Sequence, residues 1–303
     1  MLCLLTTIRK MNIAVLNPMG IIALQEKNLI IFAFLLMLIV VIPVMLMIIF
    51  FSYKYRASNT KAKYTPNWCH STLLEIVWWG IPTILIIILA IVTWKTTHEL
   101  DPYRPLTEHQ AKPIEIQVIA LDWKWLFIYP EYNIATVNFI QFPIDTPLNF
   151  KITADAPMNS FAIPQLGGQI YAMQGMETQI HLIANKEGEF SGYSANYSGH
   201  GFSGMNFIAK ATSKEEFEKW VEYVKTEGIN LTQDVYDATL FPQTKNEPVQ
   251  VFSDVENGLY RGVIDKFMMS HDSHNNHHKV EEKMQKIDKP MDNHLEMKHE
   301  GHH

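Results

Sequence analysis

Cysteine is nearly absent: Cys3 and Cys69 are the two in 303 residues, and neither lies in the polar two thirds of the chain. A disulfide scaffold or a thiolate metal site cannot be built there. Charge is scarce as well. Charged residues make up 18%, and 25 Lys and Arg against 31 Asp and Glu leave a net charge of -6. Without a basic face the chain lacks the side chains that supply most affinity for phosphate backbones, which excludes a nucleic-acid partner. The order of a secretory signal is missing too, because Arg9 and Lys10 follow the short apolar run Met1 to Leu5 instead of preceding it. No small-residue cleavage site precedes Cys3, so a lipid anchor at that cysteine is not expected.

What is abundant is apolar sequence, and it is concentrated before residue 95. Leu29 to Phe51 contains no charged residue, and its 23 positions suffice for the hydrocarbon core of a bilayer, about 30 Å thick. Ile76 to Trp94 is a second uncharged run, of 19 residues, between Glu75 and Lys95. Its Pro82 falls early, where freed backbone groups can find other partners. Two transmembrane helices, 29–51 and 76–94, are therefore predicted. The loop between them, 52–75, carries Lys54, Arg56, Lys61 and Lys63 with no acid before Glu75, which places it in the cytoplasm and both termini outside. Tyr53, Tyr55, Trp68, Trp78, Trp79 and Trp94 stand near the span ends, where amphipathic rings suit the interface.

After a linker, 95–113, the period changes to two. Ile114, Ile116, Val118 and Ala120 alternate with other side chains, as do Leu148, Phe150 and Ile152, and Met205, Phe207 and Ala209. With further strands predicted at 134–142, 178–184 and 188–193, the segment 114–211 reads as an external β-sandwich. A helical, aromatic-rich appendix, 212–269, is expected to pack on the sandwich or on a partner. Ser213 and Glu216 have the spacing of a capping box, Phe217, Trp220, Val221 and Val224 share one face, and Gly228 ends the helix. A second amphipathic pattern runs through Tyr260, Val263, Ile264 and Phe267. The tail, 270–303, holds eight of the thirteen histidines without apolar period and is expected to be disordered.

Three segments carry a resemblance. These are ALDWKWLFIYPEYNIATVNFIQFP with Asp122, Trp123, Lys124 and Trp125, then MNSFAIPQLGGQIYAMQGM from Met158 to Met176, and FSGYSANYSGHGFSGM from Phe190 to Met205. Together with the two spans, from about Pro18 to Phe267, they resemble subunit II of the haem–copper respiratory oxidases, in its quinol-oxidising, cytochrome o type branch. The resemblance implies a two-helix transmembrane hairpin, an external all-β cupredoxin-like sandwich and a small helical C-terminal appendix. It implies a bacterial inner membrane, with the N-terminus and the C-terminal domain on the periplasmic side.

In the cytochrome c oxidising branch this domain binds a dinuclear copper centre through two cysteines, two histidines, a methionine and a glutamate carbonyl. Here the resemblance puts Asn159 and Phe202 at the histidines, Ser194 and Ser198 at the cysteines, Asn196 at the glutamate and Met205 at the methionine. A serine oxygen cannot replace a bridging thiolate. No cofactor is thus expected on this chain. The resemblance implies haem and copper in a large partner, subunit I, together with other integral subunits, electrons from ubiquinol, and no cytochrome c. It further implies a non-redox role in assembly, with Glu75, in STLLEIVWWGIP from Ser71 to Pro82, at the entrance of a proton pathway. A boundary acid suited to a helix N-terminus is the plainer account of Glu75.

Trp123 and Trp125 match the aromatics that serve cytochrome c in the copper branch, and are expected as packing or interface residues. Ser194 and His200 lack the acid and oxyanion partners of a hydrolase. The matching place of the lipidated cysteine common in quinol-oxidase relatives is Met11, so either the chain starts differently or the spans alone anchor it. The competing function is a membrane-tethered external metal-binding module that uses His274, His277 and His278 as weak metal ligands.

Overall fold

A computed structural model describes residues 13–63, 65, 67, 69–106 and 111–268. Cys3, Arg9, Lys10, Met11, Trp68 and the tail with His274, His277 and His278 lie outside the described residues. Helix α1 (Ile21–Lys54) has 34 residues and is about 51 Å long. It begins eight residues before the expected span at Leu29, because its first turns dock on the β domain. Helix α2 (Thr72–Glu99) likewise outruns 76–94, which puts Glu75 in its first turn. Pro43 and Pro82 lie inside the two helices. Both helices are apolar and long enough to cross a membrane, and nearly all their side chains are exposed in the isolated chain.

The docking of α1 fixes the β domain against the helix start. Orphan donors at a helix start need acceptors, and here the sandwich supplies them. Met19 N–H donates to Gln165 O at 2.8 Å and Ala23 N–H to Leu166 O at 3.2 Å, while Met19 O accepts from Asn185 N–H at 2.9 Å. Gly20 is required by this approach, since a Cβ there would lie 2.3 Å from Ile183 O. The linker is pinned as well, with Pro102 O accepting from His181 N–H at 3.2 Å.

The domain has two mixed sheets. The larger contains β1 (Ile114–Leu121), β2 (Lys124–Tyr129), β3 (Ile134–Val137), β5 (Leu148–Ala154), β8 (Thr178–Leu182), β11 (Ile229–Leu231) and β12 (Gln250–Val255), in the order β11-β12-β3-β2-β1-β5-β8. The smaller contains β4 (Phe139–Pro143), β6 (Asn159–Ala162), β7 (Gln169–Ala172), β9 (Gly188–Ser194) and β10 (Asn206–Thr212), in the order β4-β10-β9-β6-β7. The segment 134–142, expected as one strand, is two. Asn138 takes a left-handed φ of 55° and passes the chain from one sheet to the other. Between the sheets the rings of Phe161 and Phe207 stack at 5.2 Å, with Trp125, Phe127 and Phe150 beside them. Gly192 lies over Phe207, where a Cβ would meet the ring at 2.1 Å.

The C-terminal region holds the expected helices, but it also adds β11 and β12 to the larger sheet, so the sandwich does not end at 211. Helix α3 (Lys214–Glu227) places Phe217, Val221 and Val224 in the main core, and Ser213 Oγ accepts from Glu216 N–H at 3.3 Å as the cap spacing predicts. Gly228 ends the helix for a reason other than a left-handed turn. Its φ of -72° is open to any residue, but a Cβ would sit 2.4 Å from Ser253 N on β12. Helix α4 (259–268) buries Tyr260, Val263 and Ile264 against Leu126 and Ile128 of β2. Beneath it the buried carboxylate of Asp155 accepts from Lys266 Nζ at 2.8 Å and Tyr236 O–H at 2.9 Å. Burial pushes the Tyr236 phenol well above its ordinary range, which keeps it a donor to that carboxylate.

Replacement of Gly192 by Ala forces the Phe207 ring out of the core stack. We expect a loss of about 1–3 kcal/mol, measured as a lower calorimetric unfolding temperature of the external domain. An unchanged midpoint would mean that the stack has slack the packing does not show.

Candidate functional site

The site is built on the two-residue turn between β1 and β2, where Leu121 pairs with Lys124 and Asp122 and Trp123 make the reversal. Such turns need left-handed backbone, and Trp123 supplies it with a φ of 66°. A bulky residue there is disfavoured by about 1–3 kcal/mol, so the surroundings must hold it. They do. The indole Nε1–H donates to Ser198 O at 3.1 Å, and the ring fills the space inside loop 196–205. A Cβ on Gly201 would lie 2.2 Å from the ring, while Gly199 is needed for its φ of 110°. The two glycines thus act differently, one by absence of bulk and one by conformation.

Within the loop, Ser194, Asn159 and Asn196 come together. Ser194 Oγ, with one hydroxyl proton, donates to Asn159 Oδ1 at 2.9 Å with Asn196 O a second acceptor at 3.2 Å, and it accepts from Ser160 N–H at 3.4 Å. Asn159 Nδ2 donates to Pro157 O at 2.8 Å, and Asn196 Nδ2 to Met158 O at 2.9 Å. Both amides and the hydroxyl are therefore spent on local bonds. Ser198 differs: its carbonyl holds the indole, while its buried hydroxyl has no hydrogen-bond partner among the described residues. Met205 is fully buried in the core, its carbonyl accepting from Ser194 N–H at 3.2 Å, and Phe202 turns its ring edge-on to Tyr197 at 5.6 Å. Of the two readings of Trp125, packing or interface, the structure gives packing: it is fully buried between Phe161 and Phe207 and belongs to the core. Its alternation on β2 aims it between the sheets. His200 is exposed, and Ser194 is bonded to Asn159 and Asn196, so no serine–histidine pair forms.

These donors do not fit a dinuclear copper centre. Two hydroxyls and two amides are hard or weak ligands, and no bridging thiolate is present to couple two copper atoms. No group of three or more His, Cys, Asp or Glu side chains capable of holding a metal occurs among the described residues.

At the other membrane surface, Glu75 Oε1 lies 2.5 Å from His70 Nδ1. The Glu75 side chain is 56% exposed and that of His70 64%. They share an open hollow with Cys69, Ser71, Leu74 and Trp78. His70 carried no signal in the sequence, because it lies outside the helix and its spacing of five from Glu75 matches no helical repeat.

Three comparisons bear on this arrangement. Residues 18–96 match the family described as cytochrome c oxidase subunit II, transmembrane domain, residues 133–212 its periplasmic domain, and residues 225–271 the COX aromatic rich motif. The chain is 50% identical over 256 residues to "Cytochrome bo(3) ubiquinol oxidase subunit 2" of Pseudomonas putida, covering 84% of this chain and 81% of the relative. The chain belongs to the ubiquinol oxidase subunit 2 family. A further relative, "Ubiquinol oxidase subunit 2" of Acetobacter aceti, is 48% identical and covers 84% of this chain and 82% of its own. Among solved structures, the periplasmic domain of cytochrome oxidase subunit II of Bradyrhizobium japonicum is 22% identical with a TM-score of 0.37, covering 38% of this chain and 94% of that one. Within this family the β domain of the present chain is a cupredoxin-like sandwich in which Ser194, Asn159 and Asn196 bond to one another and to nearby backbone at the start of loop 196–205.

Wild-type chain exposed to copper and desalted is expected to retain none in this loop. The fourfold variant Ser194→Cys, Ser198→Cys, Asn159→His and Phe202→His should bind copper and absorb visible light through sulfur-to-copper charge transfer, whereas Ser194→Cys alone should not. Stoichiometric copper in wild-type loop 194–205, read by metal analysis, would overturn the donor argument.

Proposed function

We propose that the chain is the non-redox subunit 2 of a proton-pumping terminal ubiquinol oxidase in a bacterial inner membrane. In this reading ubiquinol gives its electrons directly to a large haem–copper partner, which holds haem and copper and reduces oxygen to water. The present chain serves assembly and covers the partner's outer face. The N-terminus and sandwich stand on the periplasmic side, and the loop 52–75 with its four basic residues faces the cytoplasm. The exposed apolar sides of α1 and α2 supply the surface on which integral subunits and lipid pack.

Glu75 is the residue we assign to proton uptake, and its pairing with His70 is the observation that carries the assignment. A carboxylate in the first turn of a membrane helix is costly against lipid, so it must face protein or water. Here it meets an imidazole 2.5 Å away in an open hollow at the cytoplasmic end of α2. Two groups able to take and release protons, in contact and open to water, suit the mouth of a pathway better than either does alone. The dipole of α2 favours a negative charge at this position in any case, which explains a carboxylate but not its imidazole partner.

In the assembled oxidase, Glu75→Gln should leave haem content normal while slowing quinol-driven oxygen consumption at least about tenfold. Wild-type turnover in a fully assembled variant would reduce Glu75 to a helix-end residue.

A further inference from the structure

Lys124 is the most deeply buried cation of the external domain, its side chain 0% exposed. A lysine removed from water needs compensation, and here its hydrogen bonds come from one segment of the appendix, with the carboxylate of Asp122 on its own turn adding to them. Lys124 Nζ donates to Pro242 O at 3.0 Å and Thr244 Oγ1 at 2.8 Å, with Glu247 Oε2 4.0 Å away. The neighbouring residues of the same turn reach the same segment. Asp122 Oδ2 accepts from Gln243 Nε2 at 2.8 Å. The cation of Lys245 stands 5.9 Å above the Trp123 ring. Asn138 bridges the two layers, accepting from Trp125 N–H and donating to Glu247 O, each at 2.9 Å.

On its other side, Trp123 holds loop 196–205, as described above. The segment 242–247 also touches that loop directly: a Cβ on Gly204 would lie 2.3 Å from Asn246 Oδ1. Asn246 takes a left-handed φ of 52°, a conformation that asparagine tolerates and most residues do not. The result is three layers, with the appendix segment outermost, the Asp122–Lys124 turn in the middle and loop 196–205 beneath. Burial lowers the Lys124 ammonium's pKa, opposed by the carboxylates of Glu247 and Asp122.

We propose that segment 242–247 of the aromatic-rich appendix is a lock that fixes the shape of loop 196–205, acting through the Lys124 anchor and the Trp123 wedge. The loop has little else to hold its far end. Its own bonds, Phe202 N–H to Gly199 O at 3.2 Å, Gly204 N–H to Gly201 O at 2.9 Å and Met205 N–H to Phe202 O at 3.0 Å, are short-range turns. Turns of this kind open readily unless something packs over them. The appendix is therefore a positioning element for this loop as well as a cover for β2, and this holds independently of the oxidase reading.

Amide hydrogen exchange on the full chain in detergent tests the lock at Phe202, Gly204 and Met205, with Leu166 and Gly167 at the α1 joint as controls. Two variants are needed. Lys245→Met with Asn246→Gly alters only exposed side chains and leaves the fold intact, and should speed exchange at the three loop amides about threefold or more while the controls keep wild-type rates. Lys124→Met, which leaves Pro242 O and Thr244 Oγ1 without their donor, should speed it about tenfold. If Lys124→Met loosens the whole domain, the exposed double variant decides. Unchanged exchange at the loop amides in that variant would overturn the lock, and so would an equal rise at loop and control amides, which would mark a contribution to overall stability instead.

Discussion

The seating of the Trp123 indole inside loop 196–205 is the contact on which the site depends. It holds a tryptophan in left-handed backbone, it requires bare glycine at 201, and it takes the carbonyl of Ser198 as its hydrogen-bond acceptor. A Cβ at 201 would expel the ring, and without the ring the turn between β1 and β2 would have no reason to retain a bulky residue in a costly conformation. The hydrogen-bonded set of Ser194, Asn159 and Asn196 then closes the other end of the loop. Hydroxyl and amide groups here do by short-range bonding what soft ligands would do by coordination.

Burial on both faces explains the rest of the domain. Strand β2 is buried at every position because the core lies on one side and the appendix on the other. That arrangement makes the appendix part of the sheet and the core, with Phe217 and Val224 in one cluster and Tyr260 and Ile264 in the other. It also fixes the domain over the membrane, because the same sandwich offers its carbonyls to the first turns of α1. The path from α1 to loop 196–205 therefore runs through backbone hydrogen bonds and packed rings.

Much of this was legible in the sequence, and the gaps have physical causes. Uncharged runs reveal spans, but not how far a helix continues once protein replaces lipid, so α1 begins earlier than Leu29. Alternation reveals β1, β5 and β10, although the outer face of β1 meets solvent only in its first half, Ile119 and Leu121 being buried under the appendix. It cannot reveal β2, whose run KWLFIY is buried throughout and has no period of two. Nor could it divide 134–142, since one left-handed asparagine makes the break. At the site, the residue types at 159, 194, 196 and 198 already spoke against a thiolate copper centre. The roles of Lys124 and His70 depend on partners at distant or non-repeating positions, Thr244 and Glu75, and no local pattern announces them.

The side chains at 159, 194 and 196 are spent on hydrogen bonds, and they and Ser198 are of the wrong chemistry for a dinuclear copper centre. On this account the loop owes none of its stability to a metal. The direct measurement is the thermal unfolding of the purified full chain before and after exhaustive copper chelation. Superimposable curves are predicted, because the ring of Trp123 and the bonds of Ser194 are untouched by a chelator. A lower midpoint after chelation, restored by adding copper back, would contradict the account.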